Sequence, residues 1–512
     1  MGSAQQSTGR ARSAEHATVL VIGTALATLS SAVIPLTVVR LLGKADVASL
    51  LALLLVYDTV ALILTSGFPQ TLMYQLASRN APARRAITYR SVGVLSSLGA
   101  LAGVVLAGIG FCADHLLVSL TGESATSLRP LLLFALLPVV DLPSRLLPNL
   151  LVAEGHSRPV AIIGVLRALS NSLAVLIPVA LGLGVWMVAT CYVAVGVLRS
   201  TALLVLVLRF LYKSVPTASS PLSRRQLLSF ALPLGATDIV SMLNQQLDRY
   251  LILFTFPAAG FAIYQAGAWQ VPIVNDVPYQ VGTAYAPRFA ELCKTGRARE
   301  AVALWGLTIK KVSLIVLPVM TIFVIAAEEV MELLFTSAYL DAAPVFRLYS
   351  ILTLGRVAAF GTMIVAAGRP QLVLQAALLS FGSNFLLSVP LVLTVGFLGP
   401  ALGTVLAFLP TVVFYCWCIS RASGVPLRDV FPLGNFTRVA LVVAATAVPA
   451  VLFKWQSSFG PAPTLGGVSL ILLGGFAVLG TLTGQVERED WRFLFDRIRP
   501  KRGHGTKAER VI

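Results

Sequence analysis

What most constrains this chain is a succession of apolar runs, each long enough to cross a bilayer, joined by short polar connections. A helix needs roughly 20 mostly apolar residues to span the hydrocarbon core. Runs near 17–42, 47–76, 87–111, 130–153, 160–182, 185–210, 229–254, 259–286, 305–330, 344–367, 371–395, 398–420, 437–453 and 465–484 fit that requirement. Backbone groups in lipid must be satisfied internally, and the alternation of barrel strands is absent, so the runs predict helices. The expected fold class is an all-α polytopic membrane protein of about fourteen transmembrane helices. Only 12% of the 512 residues are charged, against roughly 25% in a soluble domain. The longest polar connections, 211–228 and 286–304, are too short for a soluble catalytic domain. The first run is too long for the core of a signal peptide and reads as a retained span.

The net charge of +17 does not point to nucleic acid, because the cations sit beside the spans. With the N-terminus in the cytoplasm, only Arg40, Lys44, Arg129 and Lys454 fall in outward loops, and all other loop Lys and Arg fall inside. That is the positive-inside pattern. A missed span would invert every later loop, so the asymmetry supports the span count as well as the orientation. The acidic residues Glu328, Glu329, Glu332 and Asp341 all fall in one outward loop. After the last run, Trp491, Leu494, Phe495 and Ile498 share a helical face among basic residues, the pattern of an interfacial anchor.

Enzyme signatures are missing. The cysteines Cys112, Cys191, Cys293, Cys416 and Cys418 form no CxxC pair or Cys/His cluster, so no metal site is expected. No GxxxxGK[ST] phosphate loop occurs, and the four histidines are dispersed at or beyond span ends. No cofactor is expected.

The two halves resemble each other. Pro159, Asn171 and Pro178 parallel Pro370, Asn384 and Pro390, at offsets of 370 − 159 = 211, 384 − 171 = 213 and 390 − 178 = 212. Pro69 and Arg79 parallel Pro278 and Arg288, both at 209. Such a shift holds about six spans. An even number keeps both repeats in one orientation, so the symmetry axis runs along the membrane normal. The expected organisation is a cytoplasmic tail (1–16), a six-helix bundle (17–210), a linker (211–228), a second six-helix bundle (229–420), two additional spans (421–484) and a basic amphipathic cytoplasmic tail (485–512).

The segment Arg40-Leu41-Leu42-Gly43-Lys44-Ala45-Asp46-Val47-Ala48-Ser49, with Ser66-Gly67-Phe68-Pro69-Gln70 after it, resembles the start of polysaccharide-export flippases of the multidrug/oligosaccharidyl-lipid/polysaccharide (MOP) superfamily. So do Leu247-Asp248-Arg249-Tyr250-Leu251-Ile252, Gly260-Phe261-Ala262-Ile263-Tyr264, Leu334-Phe335-Thr336-Ser337-Ala338-Tyr339 and Ala366-Ala367-Gly368-Arg369. The likeness covers about residues 17–430. It implies two bundles around a central cavity, working by alternating access. It also implies export of an undecaprenyl-pyrophosphate-linked oligosaccharide across the bacterial inner membrane, with a polysaccharide polymerase as a candidate partner. Lipid II flippases of the superfamily carry arginines within the first two spans, whereas here Arg40 sits at the outer end of the first run. A lipid II flippase, a drug or metabolite antiporter and, from another class, a membrane glycosyltransferase or ligase are the competing readings.

Charges inside spans cost about 2.5–3.5 kcal/mol each on insertion scales, so each is a functional candidate. The in-span arginines are Arg145, Arg167, Arg199, Arg249, Arg347 and Arg356. Guanidinium forks match phosphate oxygens bidentately, which makes Arg145, Arg167, Arg249 and Arg356 candidates for a diphosphate. Arg347 and Arg199 are open between anchoring and function. Asp238, Ser241, Gln245, Asp248 and Arg249 fall on one helical face. So do Gln265, Trp269, Asp276, Gln280 and Thr283. Both stripes face either a cavity or another helix. Trp269, Tyr264, Tyr279 and Tyr285 could stack on sugars or simply pack. Asp141 and Arg145 are i, i+4 partners. Asp58, Asp238, Asp248 and Asp276 are candidates for coupling to an ion.

Overall fold

The computed structural model describes residues 33–68, 81–121, 128–153, 156–212, 224–271 and 274–487. Helices dominate, and no strand occurs among the described residues. Ten described helices are long and apolar enough to cross a membrane. The first expected run lies mostly outside the described residues, as does the tail bearing Trp491, Leu494, Phe495 and Ile498.

In the first half, α1 (Lys44–Thr65) packs on α2 (Ala81–Thr121). The fourth expected run is not one helix. It is broken into α3 (Leu131–Phe134), α4 (Leu137–Ser144) and α5 (Leu146–Ala153). Pro138 stands in the first turn of α4, where its missing N–H costs nothing, but Pro143 lies inside and removes a rung near Arg145. α6 (Ser157–Ala180) and α7 (Val185–Tyr212) then form a packed pair, and α4 leans on α7.

The second half opens with α8 (Arg224–Thr255), long but polar along much of its length. The eighth expected run is again two helices, α9 (Ala258–Gly267) and α10 (Val277–Lys294). This corrects the expectation that Gln265, Trp269, Asp276, Gln280 and Thr283 share one helical face, because the chain leaves the helix between Trp269 and Asp276. α11 (Ala298–Ile325) is followed by the short α12 (Ala327–Phe335). The span across 337–366 is interrupted as well: α13 (Ala343–Gly355) ends and α14 (Phe360–Ala366) begins after four residues that start with Arg356. α15 (Gln371–Thr394) and α16 (Gly399–Ser423) form a packed pair like α6 and α7. A turn of helix, α17 (Leu427–Val430), leads to α18 (Leu433–Gln456) and α19 (Pro461–Leu482), which pack on each other and on α11.

The halves meet along α1, which touches both α8 and α9. Near its start, the Arg40 guanidinium donates to the Leu333 carbonyl, and Lys44 lies 5.4 Å from the centroid of the Tyr339 ring. Just past its end, the backbone of Ser66 approaches Gly235 so closely that a Cβ there would sit 2.7 Å from the Ser66 carbonyl.

Candidate functional site

Two cavities, one lined mainly by each half, take in seven of the in-span charges: Asp58, Asp141, Arg145, Arg167 and Arg199 in the first, Asp276 and Arg356 in the second. The first measures about 340 Å³ and is lined by Tyr57, Asp58, Asp141, Arg145, Arg167, Asn171, Tyr192, Arg199 and Gln246 among others. Asp141 is its hub and is 1% exposed. Its Oδ2 accepts from Tyr57 at 2.9 Å and from Arg145 Nε and Nη2 at 2.9 and 2.7 Å. Its Oδ1 accepts from Arg167 at 3.1 Å and from Ser200 at 3.0 Å. Arg199 Nη2 stands 3.9 Å from the same oxygen. Arg199 is held from behind, donating to Ser170 at 3.0 Å and to Asn171. Its Nε is buried without a hydrogen-bond partner. Asp58 is exposed to this cavity.

Three guanidinium groups thus surround one buried carboxylate, with a second carboxylate nearby. The cluster comes from four separate stretches: α1, α4 with Arg145 just past its end, α6 and α7. Burying such charges is tolerable only when they are paired and hydrogen-bonded, and Asp141 supplies that pairing. The local spacing of Asp141 and Arg145 was visible in the sequence. The contributions of Arg199, Tyr57 and Ser200 were not, because they reach Asp141 from other helices.

The expected single stripe on α8 is divided. Ser241 and Gln245 line the second cavity. Arg249 donates to Gln246 at 2.9 Å, and Gln246 lines the first. Asp248 faces neither. It is 2% exposed, and its Oδ2 accepts from Thr404 at 2.6 Å and from Tyr349. Its Oδ1 is buried without a partner. Thr404 lies 3.1 Å from Asn384 Oδ1, and Asn384 donates to Asn244 at 3.0 Å. Of the four ion-coupling candidates, Asp248 is the one enclosed in a nest of neutral polar groups with no bridging cation. Asp238 and Asp276 are exposed.

The second cavity measures about 410 Å³. Ser241, Asn244, Gln245, Gln270, Asn275, Asp276, Tyr279, Arg356, Ser380, Thr411 and Tyr415 supply its polar and aromatic lining. Two helix interruptions meet there, the one between α9 and α10 and the one between α13 and α14. Thr353 joins them by donating to Asn275 Oδ1 at 3.1 Å. Non-helical backbone at membrane depth is tolerated where it lines a cavity, and transporter sites recur at such discontinuities. Arg356 makes no ion pair among the described residues.

The remaining sequence candidates are placed differently. Trp269 packs edge-on against Phe335, with ring centroids 6.1 Å apart. Gln280 is exposed. Tyr264 is buried and shares a 3.2 Å hydrogen bond with Tyr349. Tyr279 is 68% exposed, so its ring is free to meet a ligand. Arg347 is a structural tie, donating to the Val324 carbonyl at 3.0 Å and pairing with Glu328.

A family model described as polysaccharide biosynthesis protein matches residues 13–293. No curated protein matches the chain. Among solved structures, the chain is similar to the lipid II flippase MurJ in an inward closed conformation, at 12% identity and a TM-score of 0.71, covering 94% of this chain and 100% of that one. It is also similar to an outward-facing multidrug resistance MATE transporter of the MOP superfamily, at 18% identity and a TM-score of 0.57, covering 80% and 94%. A eukaryotic MATE transporter matches at 16% identity and a TM-score of 0.55, covering 83% and 99%. The chain is a polytopic membrane protein with the fold of MOP transporters, and it belongs to the polysaccharide biosynthesis protein family.

Proposed function

We propose that this protein moves an undecaprenyl-pyrophosphate-linked oligosaccharide from the cytoplasmic to the periplasmic leaflet of a bacterial inner membrane by alternating access. On this reading both termini are cytoplasmic. Residues 17–210 and 229–420 are the two rocking bundles, and 421–484 ride with the second. A polysaccharide polymerase would take up the delivered unit.

One observation carries the proposal: Arg145, Arg167 and Arg199 converge on Asp141 in a cavity walled by helices long and apolar enough to span a membrane. Isolated guanidinium groups would be costly there. Asp141 pairs with them, and the three arginines still outnumber Asp141 and Asp58. A diphosphate brings two negative charges and several strong acceptors, which suit the same fork geometry. The unpartnered Nε of Arg199 supplies a donor in reserve. A drug antiporter for organic cations has no use for this surplus.

The test is export in cells that depend on this protein. Arg167→Ala and Arg199→Ala should each lower surface polysaccharide at least tenfold at unchanged protein level, with the lipid-linked precursor accumulating unmodified on the cytoplasmic leaflet. Lysine at either position should restore part of the export, since it keeps the charge and loses the fork. Undiminished export in both alanine variants would remove the diphosphate from this cavity. Arrested cell-wall synthesis in the deletion strain would favour lipid II as the cargo.

A further inference from the structure

The two cavities occupy equivalent places in the repeat, and their chemistry has diverged. α6 and α15 are both 24 residues long and begin 371 − 157 = 214 residues apart. The glycines that follow them with positive φ, Gly182 and Gly396, are also 396 − 182 = 214 apart. Arg145 stands at a helix break in the first half and Arg356 at a helix break in the second, 356 − 145 = 211 apart. Asn171 and Asn384 correspond at 213.

Applied to the rest of the first cavity, shifts of 211–214 give an uncharged result. Asp141 maps to 352–355, Arg167 to 378–381 and Arg199 to 410–413, and none of those positions carries a charge. Ser380 and Thr411, which line the second cavity, lie within these windows. One half therefore keeps three arginines around a carboxylate, whereas the other keeps one arginine and one carboxylate, Asp276, among hydroxyls and amides.

We propose that the second cavity is the subsite for the glycan of the same substrate, separate from the diphosphate subsite in the first half. This deepens the transport reading and rests on it. Charges in the second lining balance, Arg356 against Asp276, so nothing there selects a dianion. Ser241, Asn244, Gln245, Gln270, Asn275 and Thr411 instead offer paired donors and acceptors, the inventory that matches sugar hydroxyls. Tyr279 presents an exposed ring on which a sugar face can stack. A volume of about 410 Å³ lies in the ordinary small-ligand range. The ligand class is an uncharged, hydroxyl-rich saccharide attached to a polyprenyl diphosphate. Arg356 positions it through its oxygens.

The test uses the full-length protein in the cells that make its natural substrate. A photoreactive p-benzoylphenylalanine replaces Tyr279 in one variant and Leu62, on the wall of the first cavity, in another. After irradiation, the adducts are treated with mild acid, which cleaves the bond between sugar and diphosphate. The expected result is that the adduct at 279 keeps saccharide mass and loses the polyprenyl diphosphate, while the adduct at 62 does the reverse. Adding Arg356→Gln should lower the yield at 279 about tenfold and leave the yield at 62 within about twofold. An adduct at 279 that keeps lipid phosphate and no sugar overturns the subsite assignment, as does an adduct at 62 with none at 279. Absence of lipid-linked adducts at both positions overturns the transport reading, and the subsite falls with it.

Discussion

Asp141 organises the first cavity by charge, and its removal should be felt throughout that cluster. It is almost fully buried and accepts from four side chains, with Arg199 close by. Deleting one partner of a buried ion pair leaves the other uncompensated and costs about 3–5 kcal/mol. Asp141→Asn should therefore lower the thermal unfolding midpoint of the purified protein clearly. Asp141→Asn combined with Arg145→Gln should recover part of the loss, because one of the abandoned cations is removed with it. A double variant that melts lower than the single one would contradict this role. The pair itself was legible in the sequence from its i, i+4 spacing. The cluster was not, because Tyr57, Arg167, Arg199 and Ser200 arrive from helices whose rotation about their own axes leaves no trace in local spacing. The same limit explains Asp248 and Arg249. They are neighbours whose directions differ by about 100°, and they serve different surroundings.

At the level of elements, the order and type of the helices could be read from hydropathy, but the interruptions within spans could not. Pro138 and Pro143 mark the broken fourth run. No proline marks the break at Arg356; only Gly355, a weak helix former, precedes it. Close packing between helices left a clearer signal. Gly399 and Gly403 form a GxxxG pair on α16, and small residues let helix backbones approach in a membrane. A Cβ at Gly403 would sit 2.7 Å from Ser388 Cα on α15. Ser388 in turn donates to Asn384 at 2.6 Å, so displacing α15 also strains the nest around Asp248. Overpacking typically costs about 1–3 kcal/mol. Gly403→Ala should reduce the detergent-resistant fraction in a thermal assay, whereas Gly382→Ala on α15, with open space beside it, should not. Equal loss in both would show that helix propensity or expression, rather than close approach, governs the result.

Across the whole molecule, ties on one face bind the additional helices to the second half. Lys454 of α18 reaches Glu328 at 2.5 Å, Glu329 at 2.9 Å and the Ile325 carbonyl at 2.8 Å. Burial would raise the Glu328 carboxyl above its ordinary 4.5, but hydrogen bonds from Lys454 and Arg347 outweigh it and hold the group at about 2. A depressed carboxyl stabilises the fold fully above its unfolded pKa, and that contribution is lost as pH falls from about 4.5 through about 2. Melting should drop across that window, and Glu328→Gln should flatten the drop without steepening it elsewhere. An identical pH slope in the variant would discount the tie.

The seam between the halves follows α1, and in this structure it is closed at both ends. Arg40 and Lys44 latch one end to Leu333 and Tyr339, while the Ser66 backbone seals the other against Gly235. Alternating access requires these seals to open one at a time, and neither involves a cavity arginine, so each can be weakened without touching the site. Leu62, 41% exposed on the wall of the first cavity, is a suitable reporter as Leu62→Cys in a background without the native cysteines. Arg40→Ala with Lys44→Ala should raise its labelling severalfold by a membrane-impermeant thiol reagent added outside, the side to which the charge pattern assigns Arg40. Gly235→Val, which forces a side chain against Ser66, should raise labelling from the cytoplasmic side instead. The two effects belong to opposite ends of one helix, so they should not appear from the same side. Labelling that rises from one side in both variants would mean that α1 does not form the seam on which the bundles rock.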